Sequence, residues 1–368
     1  MKRKSKDNKN YTFVFLYAIG SILIVASHCG NGGINLFFDI FPPYAFHLGL
    51  FMFCSGYFYK SKNEDNFRGY FLKKVKRLII PMYVWNIVYG LFVQLTRIKG
   101  FTIGFDFTLY NVVIAPLING HQFTYNMCFW FIPELFLIEM ITCLLRKLLN
   151  KYIKINEYIF FIFYLLLGIL GVYLSNLGLN SGWMLLVLRT LFFFPFFGMG
   201  ILYNRKLEKY DKLSNIKYFS LILTIQFIII FILGKVPSFT PSWCIDFTDI
   251  IFLPFLVGYL GIAFWLRIAK ILEPLAKSSK IINCISENAL PIMAHQFFGF
   301  FVLKSIYAVL SKITPLFHDF NFPEFKKNIW YYYIPNNTIS FYFLYLVFGI
   351  VIPILIAYLI DKCKKKIK

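Results

Sequence analysis

Seven ionisable residues lie inside long apolar stretches of this chain: His28, His47, Glu134, Glu139, Arg189, His295 and Lys304. An ionisable group in a hydrocarbon core costs a few kcal/mol, so such residues usually face a protein interior and mark function. Neutral histidine, such as His28 at the end of the first apolar run, can take a proton from a hydroxyl at physiological pH. Glu134 could orient that imidazole or stabilise its cation. Arg189 or Asn31 could stabilise a developing oxyanion, with His47 and His295 as further candidates for holding an acceptor. Outside the apolar stretches, Lys73, Lys74, Lys76 and Arg77 form a basic cluster able to hold phosphates, the lysines as point charges and the arginine as a fork. Each group also has a plainer role. Glu134 and Arg189 can lock two helices as an ion pair, and His47 can bond a carbonyl at a helix start. Lys304 can snorkel outward, His295 can act as a brace, and the basic cluster can anchor to anionic lipid.

The elements that must position these residues are membrane helices. The chain is 59% hydrophobic and 15% charged, where a soluble domain of 368 residues would be about a quarter charged. Apolar runs long enough to cross a hydrocarbon core of about 30 Å fall at about 11–28, 43–60, 78–96, 128–146, 158–174, 183–203, 217–234, 248–265, 285–311 and 338–360. The ninth is long, and Pro291 near its start predicts a tilt or a break. Of the 38 Lys and Arg residues, thirty fall in the two tails and alternate loops, and six in the intervening loops. By the positive-inside rule this alternation predicts an all-α polytopic membrane protein of about ten spans with both termini cytoplasmic, a single transmembrane domain over 1–368. It also explains the net charge of +21 without nucleic acid, since no basic stripe interleaves with aromatics in a soluble module.

In that topology His28, His47, Glu134 and Arg189 come from four helices into one outer layer, the last two roughly 9 Å deep, while Glu139 and His295 lie nearer the middle. The basic start and apolar run before Val25-Ala26-Ser27 imitate a signal peptide, but the segment reads better as an uncleaved first helix. His28 before Cys29 argues against a lipoprotein site. Seven cysteines show no CxxC pair and no metal-ligand spacing, and no metal is expected. Cys29, Cys128 and Cys244 would share the outer side, where one disulfide is conceivable.

The order of local patterns resembles a known family. A first helix ends in Ile24-Val25-Ala26-Ser27-His28, and a second carries Phe46-His47-Leu48-Gly49-Leu50-Phe51-Met52-Phe53-Cys54-Ser55-Gly56-Tyr57. Then come Lys73-Lys74-Val75-Lys76-Arg77-Leu78-Ile79-Ile80-Pro81, Phe129-Trp130-Phe131-Ile132-Pro133-Glu134-Leu135-Phe136 and Ser286-Glu287-Asn288-Ala289-Leu290-Pro291-Ile292-Met293-Ala294-His295. The set is similar to the acyltransferase-3 family of bacterial membrane O-acyltransferases, in particular the branch that O-acetylates exopolysaccharide, capsule or related sugars. The resemblance implies that His28 is the catalytic histidine and that Lys73–Arg77 handle the phosphates of acyl-CoA, the acetyl thioester in that branch, as co-substrate rather than bound cofactor. It further implies acyl transfer to a hydroxyl of a glycan or lipid-linked sugar outside the bacterial cytoplasmic membrane. Two departures stand out: Tyr17 occupies the place where the family often has an arginine, and the Arg-x-x-Arg pattern is Lys74-x-x-Arg77.

Two other classes compete. A transporter or flippase for a lipid-linked saccharide would also need polar groups inside a helical bundle, but the chain has no internal repeat. A glycan polymerase would carry a large, charge-rich outer loop, and the outer segments 97–127 and 312–337 hold few charges.

Overall fold

A computed structural model describes residues 9–30, 33–34, 40–153 and 156–367. A helix occupies each of the ten apolar segments: α1 (Tyr11–Ser27), α2 (Pro43–Tyr57), α3 (Phe67–Ile98), α4 (Met127–Asn150), α5 (Glu157–Asn176), α6 (Gly182–Tyr210), α7 (Asn215–Leu233), α8 (Leu253–Ile271), α9 (Ala289–Ile313) and α10 (Tyr342–Lys366). Eight of these are long and apolar enough to cross a membrane; α1 and α2 are shorter, at 17 and 15 residues. There is no sheet among the described residues, only a single bridge between Thr240 and Ile245. The protein is an all-α, multi-pass membrane protein.

Burial sorts the helices. α6 is central, with Phe192–Phe197 buried in an unbroken row, whereas α7 exposes Phe231 and Ile232 at the surface where lipid tails would lie. α2 and α6 meet with almost no space between their backbones. A Cβ on Gly56 would lie 2.0 Å from the Phe197 carbonyl oxygen, and one on Gly200 would lie 2.1 Å from that of Phe53. Small residues at a crossing allow this approach, and dispersion across it replaces the hydrophobic driving force that lipid removes.

Several helices differ from the sequence-based boundaries, α8 for instance lying at Leu253–Ile271 rather than 248–265, and two of them do so for local reasons. α3 begins at Phe67, so Lys73–Arg77 belong to the helix, and Val75–Ile79 form a π turn just before Pro81. Proline has no N–H to continue the ladder, which accounts for the looser turn. The ninth segment breaks at Asn288 rather than at Pro291. Pro291 lies in the first turn of α9, where its missing N–H costs nothing.

One face of the bundle gathers the lysine-rich helix ends, and buried ion pairs clasp it. Arg146 pairs with Glu64 (3.3 Å) and Glu157 (2.5 Å), and Arg205 joins Glu157 at 2.5 Å. Lys74 pairs with Glu139, and Arg267 with Asp211. The opposite face carries the end of α1 and the starts of α2, α4 and α6.

Lys304 corrects an expectation. It does not snorkel outward: it is buried, and its Nζ donates to the Ile329 carbonyl at 2.7 Å. The segment after α9 folds back over the bundle and supplies an acceptor, which apolar periodicity cannot reveal. No disulfide forms either; all seven cysteines are free.

Candidate functional site

The site begins where α1 stops. His28 caps the helix, its backbone N–H turning back to the Val25 carbonyl at 3.1 Å. Gly30 follows with φ +74°, and a Cβ there would lie 2.2 Å from the Tyr342 ring, so the chain can turn this tightly only at glycine. A helix end leaves carbonyls without partners. Two tyrosines satisfy them: Tyr44 donates to Ser27 O at 2.9 Å, and Tyr332 donates to His28 O. The turn that carries His28 is therefore pinned from α2 and from the segment before α10.

The His28 ring is fixed as firmly as its backbone. Nδ1 lies 2.8 Å from Ile24 O and 3.1 Å from Gln296 Oε1. Gln296 Nε2 donates to Met293 O (3.1 Å) and to Cys128 Sγ (3.2 Å), which leaves Oε1 facing the histidine. Both partners of Nδ1 are thus acceptors, so Nδ1 carries the hydrogen and Nε2 keeps its lone pair. Nε2 has no hydrogen-bond partner among the described residues. A histidine held in this tautomer can accept a proton from a substrate hydroxyl.

His28 lines a cavity of about 520 Å³ together with Tyr44, His47, His121, Trp130 and Trp330. The segment Ser238–Trp243 forms another wall. His47 is buried, and its Nδ1 donates to Pro43 O at the start of α2, so its Nε2 is also the unprotonated nitrogen. The Tyr44 ring meets both imidazoles edge-on, at 5.9 Å from His28 and 5.5 Å from His47. His121 stacks on Trp243 at 4.5 Å. Burial, with the Arg189 guanidinium nearby, pushes His121 down to about 3, so it is neutral at physiological pH.

Glu134 and Arg189 are buried behind this wall and do not line the cavity. Arg189 Nη1 lies 3.3 Å from Glu134 Oε1. The same guanidinium donates to Ser242 O (2.8 Å from Nε), Ile118 O and Asn119 O (3.3 Å each), and stacks on Trp130 at 4.5 Å. One arginine thereby ties α6, α4 and two loop segments into the cavity wall. Glu134 Oε2 has no partner among the described residues.

The remaining sequence candidates lie elsewhere. His295 takes part in a hydrogen bond with Tyr89 (2.9 Å) and packs on Trp85, away from the cavity lining. Lys73, Lys76 and Arg77 are exposed on the lysine-rich face, and Lys74 is half-buried on Glu139. Tyr17 packs on Phe51 with centroids 5.9 Å apart. Asn31 lies outside the described residues. Sequence reading missed Gln296, the neighbour of His295, and His121, the one histidine of the 97–127 segment. An uncharged amide in an apolar helix is a weaker mark than the histidine beside it, because it carries no charge.

The family model described as an acyltransferase domain matches residues 15–358 of the chain. No curated protein matches, and no solved structure does.

Proposed function

Since the chain belongs to the acyltransferase-3 family and is a membrane acyltransferase, we propose that it moves an acyl group, acetyl by preference, from acyl-CoA to a hydroxyl of an extracytoplasmic glycan or lipid-linked sugar. The observation that carries the reading is the His28 tautomer: Nδ1–H spent on Ile24 and Gln296, Nε2 bare toward a cavity. The acceptor oxygen attacks the thioester carbonyl while Nε2 takes its proton. The C–S bond breaks, the thiolate takes that proton from the imidazolium, and an ester and free CoA leave. Lys73, Lys76 and Arg77, exposed on the opposite face, are the donor-side candidates for the CoA phosphates, with Lys74 held on Glu139. Glu134 acts by holding Arg189, and Arg189 by holding the wall.

The test is hydrolysis of acetyl-CoA by the purified protein, together with mass spectrometry of the surface glycan with and without the gene. His28-dependent hydrolysis and loss of an acyl mass are expected. A lipid-linked saccharide accumulating on one side, with neither hydrolysis nor mass change, would favour the flippase reading instead.

A further inference from the structure

The segment Trp330-Tyr331-Tyr332-Tyr333 separates two cavities. Trp330 lines the one that holds His28. Tyr331, Tyr332 and Tyr333 line a second, more open cavity of about 420 Å³, with Asp319, Asn321, Ile334 and Tyr342. The strip is anchored rather than loosely draped. Lys304 donates to Ile329 O at 2.7 Å, Tyr332 to His28 O, and Tyr333 to Asp319 Oδ1. Tyr333 N receives further support from Tyr345 Oη at 3.0 Å. The lining is polar as well as aromatic: four tyrosines, one carboxylate and one amide. Aromatic faces pack on the C–H faces of sugar rings, while carboxylate, amide and phenol groups bond their hydroxyls. Asp319 Oδ2 and the Asn321 side-chain Nδ2 make no hydrogen bond among the described residues, which leaves an acceptor and a donor at the cavity for sugar hydroxyls.

We propose that this second cavity is an acceptor subsite, which holds a neutral sugar unit of an extended glycan while a neighbouring unit presents its hydroxyl to His28. The inference rests on the glycan reading above and deepens it. Tyr332 joins the two cavities, because it lines the second and bonds the backbone of the residue that acts in the first. Tyr331, half-buried with its hydroxyl accepting from Asn321 N (2.9 Å), offers a ring held from the far side.

The experiment reads two quantities in each variant: acyl-ester content of the surface glycan in cells, and acetyl-CoA hydrolysis by the purified full chain. In Tyr331→Ala and Asp319→Asn the ratio of ester content to hydrolysis falls at least fivefold, and Tyr331→Phe, which keeps the ring, restores most of it. A ratio unchanged from the unmodified protein would overturn the subsite. So would a parallel fall in both quantities, which would make the strip only a support for His28. Binding of detergent or lipid in the cleft would show as an unchanged ratio that responds to headgroup composition, and that also overturns it. If the unmodified protein gave neither ester nor hydrolysis, the glycan reading itself would fail, a result distinct from failure of the subsite.

Discussion

At the residue scale, His28 and Gln296 form one unit. His28→Ala removes the only proton acceptor proposed for the acceptor hydroxyl, and transfer falls at least about 100-fold with expression intact, as general-base removal does. Gln296→Leu is the more discriminating change. It removes one of two acceptors for Nδ1–H and leaves Ile24 O in place, so the tautomer survives but the ring is held less well. A net hydrogen bond of about 1 kcal/mol predicts a roughly fivefold fall in kcat with KM for both substrates unchanged. A rise in acceptor KM without a fall in kcat would mean that Gln296 touches substrate rather than His28. His28 was legible in the sequence because it ends an apolar run beside glycines. Gln296 was not, because an amide carries no charge to mark its depth, and its neighbour His295 drew attention to the wrong face of the same helix.

At the scale of elements, the Glu134–Arg189 pair was legible as a pair but not as a wall. Two opposite charges at matching depth suggest contact; that Arg189 also holds the carbonyls of Ser242, Ile118 and Asn119 depends on loops with no periodic signal. The asymmetry has a consequence. Arg189→Ala strands a buried carboxylate and frees three carbonyls, so it costs roughly 3–5 kcal/mol in thermal unfolding in detergent and lowers transfer. Glu134→Gln leaves Arg189 with its carbonyl partners and costs less. Equal losses would mean that the carbonyl bonds contribute little. The basic turn of α3 is similar. Lys74 sits on buried Glu139, so neutralising it perturbs folding along with any donor contact. Lys76→Gln with Arg77→Gln isolates the donor role. Loss of two charge-assisted phosphate contacts raises KM for acetyl-CoA at least about tenfold with little change in unfolding temperature, as steady-state kinetics would read. An unchanged KM would return the cluster to lipid anchoring.

At the scale of the whole molecule, the orientation in the membrane is a prediction that rests on charge placement. The lysine-rich helix ends gather on one face and His28 with its cavity on the other, and the positive-inside rule predicts the cavity outside the cell and the basic turn of α3 inside. The native thiols offer a direct test, because the structure buries most of them. Cys29, Cys54, Cys128, Cys143 and Cys244 are buried, Cys284 is half-buried, and Cys363 near the end of α10 is exposed. Both accessible thiols fall on the lysine-rich face. An impermeant maleimide added to intact cells therefore leaves the unmodified protein unlabelled, and labels it, chiefly at Cys363, once the membrane is permeabilised. New thiols at exposed positions then report each face against this silent background. Tyr110→Cys and Leu316→Cys label from outside, whereas Lys62→Cys, Tyr210→Cys and Leu275→Cys wait for permeabilisation. Labelling of Cys363 in intact cells would place the tail and the basic turn outside, away from cytoplasmic CoA. The donor route would then have to be abandoned even if His28 proved essential.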